Sequence, residues 1–430
     1  MHDIIETERH TGINVIGYIN GEFGIGEAVR LNIKALMEAD VPVALINYDV
    51  KTAHRHEDDT FSFSEEFPYD VNLIQISPAE VGNFMSHRHA KKLFGKYNIL
   101  YMAWESEYFP KEYVKNISYF DEIWVPSKFC QDVVSKVCEV PVITVPHPIG
   151  IELEPTDDPD ALEFYDSQKY NFLFIFDYNS SATRKNIYGL IDAFERAFGK
   201  NNSEVALYIK TSLSKRFADE KAVLMDKISG FSNIQVVEKI FTKSALSSII
   251  NGCDCYVSLH RSEGFGLTLA EAMYFGKPVI GTGYSGNLEF MDFQNSFLVK
   301  YKMSAVGIDI HNYDKNTIWS EPDTKHAAKL LKFVKENPEE VSNIALRGFT
   351  DIREKLSFKK VGTLMKERLE FIAGKGHVDT TKNELLALEI KFLKIDKELK
   401  KIKKSNLISM ILKIKKVFRE TKSKIRKRLD

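Results

Sequence analysis

The chain lacks the material for several common kinds of protein. Its four cysteines, Cys130, Cys138, Cys253 and Cys255, form no two C-x2-C pairs, and no histidine cluster accompanies them. That excludes a zinc-finger or disulfide-scaffold framework. Free thiols fit a reducing compartment, so the expected location is cytoplasmic. No apolar run reaches the roughly 18 residues that a membrane-crossing helix needs, and the first ten residues hold no apolar core of the kind a secretory leader carries. Net charge is nearly absent as well, with 59 Lys+Arg against 60 Asp+Glu. The balance conceals an asymmetry. Lys391 to Asp430 hold sixteen basic and four acidic residues, a net of +12, so the other 390 residues carry −13. An acidic body without a base-reading motif argues against nucleic acid as a partner. A basic tail calls for an anionic surface or a partner protein.

What is present suits a soluble globular chain: 44% apolar and 28% charged residues over 430 positions, long enough for two cores. Each half opens in the same way. Ile13 to Ile19 reads as a strand, followed by a glycine loop (Asn20-Gly-Glu-Phe-Gly-Ile-Gly26) and a helix with apolar Ala28, Leu31, Ile33 and Leu36. The Gly21-x2-Gly24-x-Gly26 spacing is not the dinucleotide fingerprint, which weakens a dehydrogenase reading. Further strands are expected at 41–48, 71–76, 97–104 and 123–125, with a helix within 77–94. Around Pro146-His147-Pro148 the chain stiffens, and a domain boundary is expected there. The second half restarts with the apolar run Asn171 to Phe176, a loop containing Arg184-Lys185, and a helix over 188–198. A strand over 206–210 ends at Lys210.

The most informative stretch is Cys253 to Met291. A short apolar strand leads into Ser262-Glu263-Gly264-Phe265-Gly266, a turn because two glycines bracket one residue. A helix follows from Leu267 and stops at Gly276. Its first amides, on Phe265, Gly266 and Leu267, form an anion-binding helix start. Glu263 and Glu271 are separated by seven residues.

The segment EGFGLTLAEAM with GKPVIGT and a glycine loop behind it resembles the E-x7-E signature of retaining family 4 glycosyltransferases. That resemblance implies an α/β chain of GT-B fold, two Rossmann-like domains facing across a cleft. It also implies a nucleotide-diphosphate sugar as co-substrate, no cofactor and no metal. Catalytic roles carry over to Glu263 and Lys185, with Arg184 in place of the usual Gly-Arg, which here reads Asp177-Tyr178. Donor contacts carry over to Gly24, Ile25, Gly26, Gly264, Phe265, Gly266, Leu267 and Glu271, and Lys210 is a second candidate cation. Trp104 and Glu105, at a strand end, are the expected acceptor contacts, one as a stacking platform and one as a hydroxyl acceptor. The flanks of Glu263 resemble bacterial surface-polysaccharide enzymes, such as those of lipopolysaccharide. Those are often mannosyltransferases, which favours GDP-mannose and a glycan or lipid-linked saccharide acceptor. The departure at Asp177-Tyr178 leaves open a catalytically inactive scaffold.

The expected domains are 1–150 for the acceptor, 151–356 for the nucleotide sugar, a crossover helix over 357–373, and a helical tail over 374–430. Within the tail, Leu385, Leu388, Phe392, Ile395, Leu399 and Ile402 alternate in steps of three and four, a heptad seam. The phase then slips into a basic amphipathic stripe. Residues 383–430 are therefore expected to meet an anionic membrane surface, making the protein peripheral on the cytoplasmic membrane, or to pair with a partner helix.

Overall fold

The computed structural model describes residues 12–402 except 22, 49–60, 152–153, 213–216, 308, 311–312, 376–387, 389, 393–394 and 396–397. The tail stripe beyond 402 lies outside these residues. Two parallel sheets of six strands organise the chain. The first contains β1 (Ile13–Gly17), β2 (Val43–Asn47), β3 (Val71–Gln75), β4 (Tyr97–Tyr101), β5 (Glu122–Val125) and β6 (Val142–Thr144), in the order β2-β1-β3-β4-β5-β6. The second contains β7 (Tyr170–Phe176), β8 (Val205–Thr211), β9 (Ile234–Glu238), β10 (Cys255–Ser258), β11 (Val279–Thr282) and β12 (Phe297–Val299), in the order β12-β11-β10-β7-β8-β9. Helices cover both faces, so central strands are buried on both sides and read as unbroken apolar runs. In each sheet the order reverses beside the first strand, and cleft loops leave the carboxyl ends of the strands there.

The helix Phe358–Lys375 returns to the first domain. Val361, Met365 and Ile372 pack with Ile13, Val29 and Leu36. Arg368 donates to both oxygens of the fully buried Glu122, at 2.9 and 2.5 Å. Glu122 also accepts from Trp124 Nε1 at 2.6 Å and from the Tyr97 hydroxyl at 3.1 Å. A buried carboxylate is stable only when paired and hydrogen-bonded in this way.

One local reading needs correction, and two elements are additional to those expected. The single helix expected over 77–94 is a short helix, Val81–Met85, followed by a 3-10 turn, Arg88–Leu93. The His87 side chain accepts from the amide of His89 and starts the second turn afresh. A helix at Lys111–Ile117 was not foreseen. The segment after β12 is an antiparallel hairpin of β13 (Tyr301–Ala305) and β14 (Ile318–Pro322). Every residue of β13 is exposed, so the strand has no inward-outward alternation for a sequence pattern to reveal.

Candidate active site

The site forms where the carboxyl ends of β7 and β10 face the end of β4. After β10 the chain passes through Ser262 and Glu263 into a turn whose Gly266 has φ of 97°. That left-handed value is accessible to glycine without strain. The helix Leu267–Tyr274 starts there, and among the described residues no acceptor takes the N–H groups of Phe265, Gly266 or Leu267. The turn is held from behind. The Glu263 amide donates to Ser285 Oγ at 2.8 Å, and the Gly286 amide returns to the Glu263 carbonyl at 2.9 Å. A Cβ on Gly286 would sit 2.1 Å from the Gly264 carbonyl oxygen, so only glycine permits this approach.

Glu263 is buried, and two cations meet it. Lys185 Nζ lies 2.5 Å from Oε1, and Arg184 Nη1 lies 3.2 Å from Oε2. Burial pushes the carboxyl upward, but the charges of Lys185 and Arg184 more than offset this and hold it at about 2. Arg184 also donates to the Ser262 carbonyl at 2.7 Å. Burial disfavours its charge, yet Glu263, Tyr313 and Glu105 together raise its pKa. The loop supplying both cations is a short turn, Ala182–Lys185, capped by the Ser181 side chain. His260 lies directly behind. It is fully buried, with Nδ1 3.1 Å from Ser258 Oγ and Nε2 3.0 Å from Asn287 Oδ1. Burial lowers its pKa, so it serves as a neutral brace.

Glu271, just over one turn into the helix, is half-buried. Burial and the nearby charge of Glu27, partly offset by Lys243, push its carboxyl up to about 8. Glu27 belongs to the opposing helix Gly24–Glu38 and pairs with Lys243 at 2.6 Å across the two domains. That helix opens with the expected glycine loop. A Cβ on Gly24 would meet nothing within 4 Å, whereas one on Gly26 would lie 2.1 Å from the Gly21 carbonyl oxygen. Gly24 therefore borders open space, Gly26 is required by packing, and Ile25 packs half-buried on the first core.

Glu105 reaches across from the end of β4 and lies 3.8 Å from Arg184 Nη2. Its neighbour does not share the cleft. Trp104 is only 6% exposed, and its ring stands edge-on to Phe109 and Tyr113 while Nε1 donates to the Tyr108 carbonyl at 2.9 Å. An indole whose N–H finds a partner gains more from burial than from a wet cleft, so the stacking-platform expectation is corrected to a core role. Lys210 also stands apart. Its surroundings are Asp177 and the Phe241 ring, 5.9 Å away, and burial lowers its pKa against the pull of Asp177.

Other contacts close the cleft near Gly264. Ser127 Oγ donates to the Gly264 carbonyl at 2.7 Å, and the Tyr284 hydroxyl donates to Glu107 at 2.7 Å. Glu107 is thus a cross-domain acceptor. His147 is buried beside Tyr101 and Phe265, and burial depresses it to about 3, in keeping with a structural part. Sequence reading missed Tyr313. It lies in the loop of the β13–β14 hairpin and interacts with Arg184, Glu105 and Glu263. Arg261 fastens that hairpin, pairing with Glu321 at 2.6 Å and lying over the Trp319 ring. An isolated Tyr in a polar loop gives no sequence signal. Among the described residues no group of three or more His, Cys, Asp or Glu is placed to hold a metal ion.

Comparison with known proteins agrees with this layout. Residues 166–305 match the family model "Glycosyl transferases group 1". The matched stretch is similar to the glycosyl transferases group 1 domain. HepE from Anabaena, solved in complex with UDP and glucose, is 12% identical with a TM-score of 0.59, over 84% of this chain and 100% of that one. Sucrose-phosphate synthase from Thermosynechococcus elongatus is 12% identical with a TM-score of 0.61, over 85% and 100%. No curated protein matches the chain. At such identity the two structures establish the shared fold, and that fold is GT-B. The group 1 match spans β7 to β13, and so includes Arg184, Lys185, Lys210, Glu263 and Glu271.

Proposed function

We propose that the protein is a retaining glycosyltransferase that moves a hexose from a nucleotide-diphosphate sugar to a glycan or lipid-linked saccharide. The observation that carries this reading is buried Glu263 paired with buried Arg184 and part-exposed Lys185, set beside free helix-start amides and facing Glu105 across the cleft. Two cations on one carboxylate form a site whose charge an entering diphosphate can share. The helix-start amides supply further preorganised donors for the phosphate oxygens. Neutralisation by these groups needs no metal. Glu271 accepts the ribose hydroxyls, Glu263 orients the sugar, and Glu105 orients the acceptor hydroxyl. The leaving phosphate takes the acceptor's proton in a front-face substitution, so no separate base is required. Closure at Gly264 excludes water from the reacting carbon. Mannose is the first donor to test, from the sequence flanking Glu263. UDP-glucose follows, since HepE was also solved with it. The acceptor belongs to surface polysaccharide synthesis in this reading, and the protein works in the cytoplasm, at the membrane's inner face.

The test is transfer from GDP-mannose, UDP-glucose, UDP-galactose and UDP-N-acetylglucosamine to a saccharide panel, with the product's anomeric configuration read by NMR. One donor should be used with retained configuration. Inversion would overturn the retaining assignment. No binding of any nucleotide would point to the inactive scaffold instead.

A further inference from the structure

The described residues between 388 and 402 are helical, and this helix carries two opposed apolar faces. Ile390 is 3% exposed and packs in the first domain's core with Ile16, Ile74 and Phe84. The other face is turned to solvent. Leu388 and Phe392 are each 63% exposed, Ile395 57% and Leu399 49%. Their spacing, continued by Ile402, alternates four and three, the a and d positions of a heptad. In that register Ile390 falls at f, opposite the seam. The helix already uses one face to hold its own body, so it cannot also turn the seam inward.

We propose that this seam is a self-association site, where copies of the chain join through parallel, in-register helices along Leu388, Phe392, Ile395 and Leu399. Charge complementarity selects the occupant. In a parallel arrangement each g position faces the e position five residues on in its neighbour. The sequence places Lys391 against Asp396 and Glu398 against Lys403, two attractive pairs, with Asp396 and Lys403 read from the sequence alone. Phe392 and Leu399 at a with Ile395 and Ile402 at d favour more than two strands.

The test is light scattering on the full chain during size exclusion, over a dilution series. It needs no substrate and is independent of the transferase reading. The wild type should show at least twice the 49.3 kDa chain mass, with three or four copies favoured. The double variant Ile395→Asp/Leu399→Asp should fall to one chain mass with unchanged thermal melting of the body. Glu398→Lys should weaken association, and adding Lys403→Glu should restore it. A wild type at one chain mass throughout would overturn the proposal. So would a seam variant with wild-type mass, a charge-swapped pair no better than Glu398→Lys, or a monomer that floats with phosphatidylserine vesicles through the seam.

Discussion

Replacing Lys185 with Met removes one of the two charges on buried Glu263 and keeps the bulk of its stem. Glu263 is held at about 2 against an ordinary 4.5, a difference worth about 3.4 kcal/mol at 1.36 kcal/mol per unit. Lys185 makes the shorter contact, 2.5 Å against 3.2 Å for Arg184. About 2 kcal/mol of the difference is therefore assigned to it, somewhat less than the roughly 3–5 kcal/mol for breaking an isolated buried pair. The sign follows from proton linkage. A carboxyl whose folded pKa lies below its unfolded value stabilises the fold above the unfolded value, and that stability is lost as pH falls toward the folded one. Urea unfolding should show Lys185→Met less stable by about 2 kcal/mol near pH 7, with the gap narrowing from about pH 5 toward pH 2. Equal stability at neutral pH, or a gap that stays constant into acid, would refute the ion-pair account of Glu263.

Glu271 gives the opposite slope. Its carboxyl, raised to about 8, binds more protons folded than unfolded between about 4.5 and 8, so it costs stability as pH rises through that window. Glu271→Gln should match the wild type near pH 4.5 and melt higher above pH 8, as measured by thermal shift in several buffers. Gly26→Ala and Gly24→Ala form a contrasting pair. The first forces backbone movement against the Gly21 carbonyl and should destabilise by about 1–3 kcal/mol. The second meets nothing within the protein and should leave melting unchanged while weakening nucleotide binding in calorimetry.

The sheets were readable because buried parallel strands leave continuous apolar runs, as Asn171 to Phe176 does in β7. The donor side of the site was readable for a different reason. Glu263, Gly264 and Gly266 stand where a strand must turn sharply into a helix, and Arg184-Lys185 stand at the end of a neighbouring strand. Parallel topology brings those ends together. Contacts that depend on tertiary packing left no trace in the sequence. Trp104 could equally have faced the cleft or the core, and only its neighbours Phe109 and Tyr113 decide the matter. The β13–β14 hairpin lacks an apolar alternation, so neither it nor Tyr313 beside Arg184 could be read from spacing. The seam at 388–402 was visible as a repeat, but its outward aim follows from Ile390 seating on the first domain.

The turn at Glu263, with Arg184 and Lys185, is expected to receive a nucleotide diphosphate and its sugar. Calorimetric titration of UDP, GDP and their hexose conjugates into the wild type and Lys185→Met tests it most directly. Binding of one nucleotide family should be saturable and one-to-one, and weakened at least about tenfold in the variant, a loss of about 1.4 kcal/mol. Binding of no nucleotide by the wild type, or equal affinity in Lys185→Met, would contradict it.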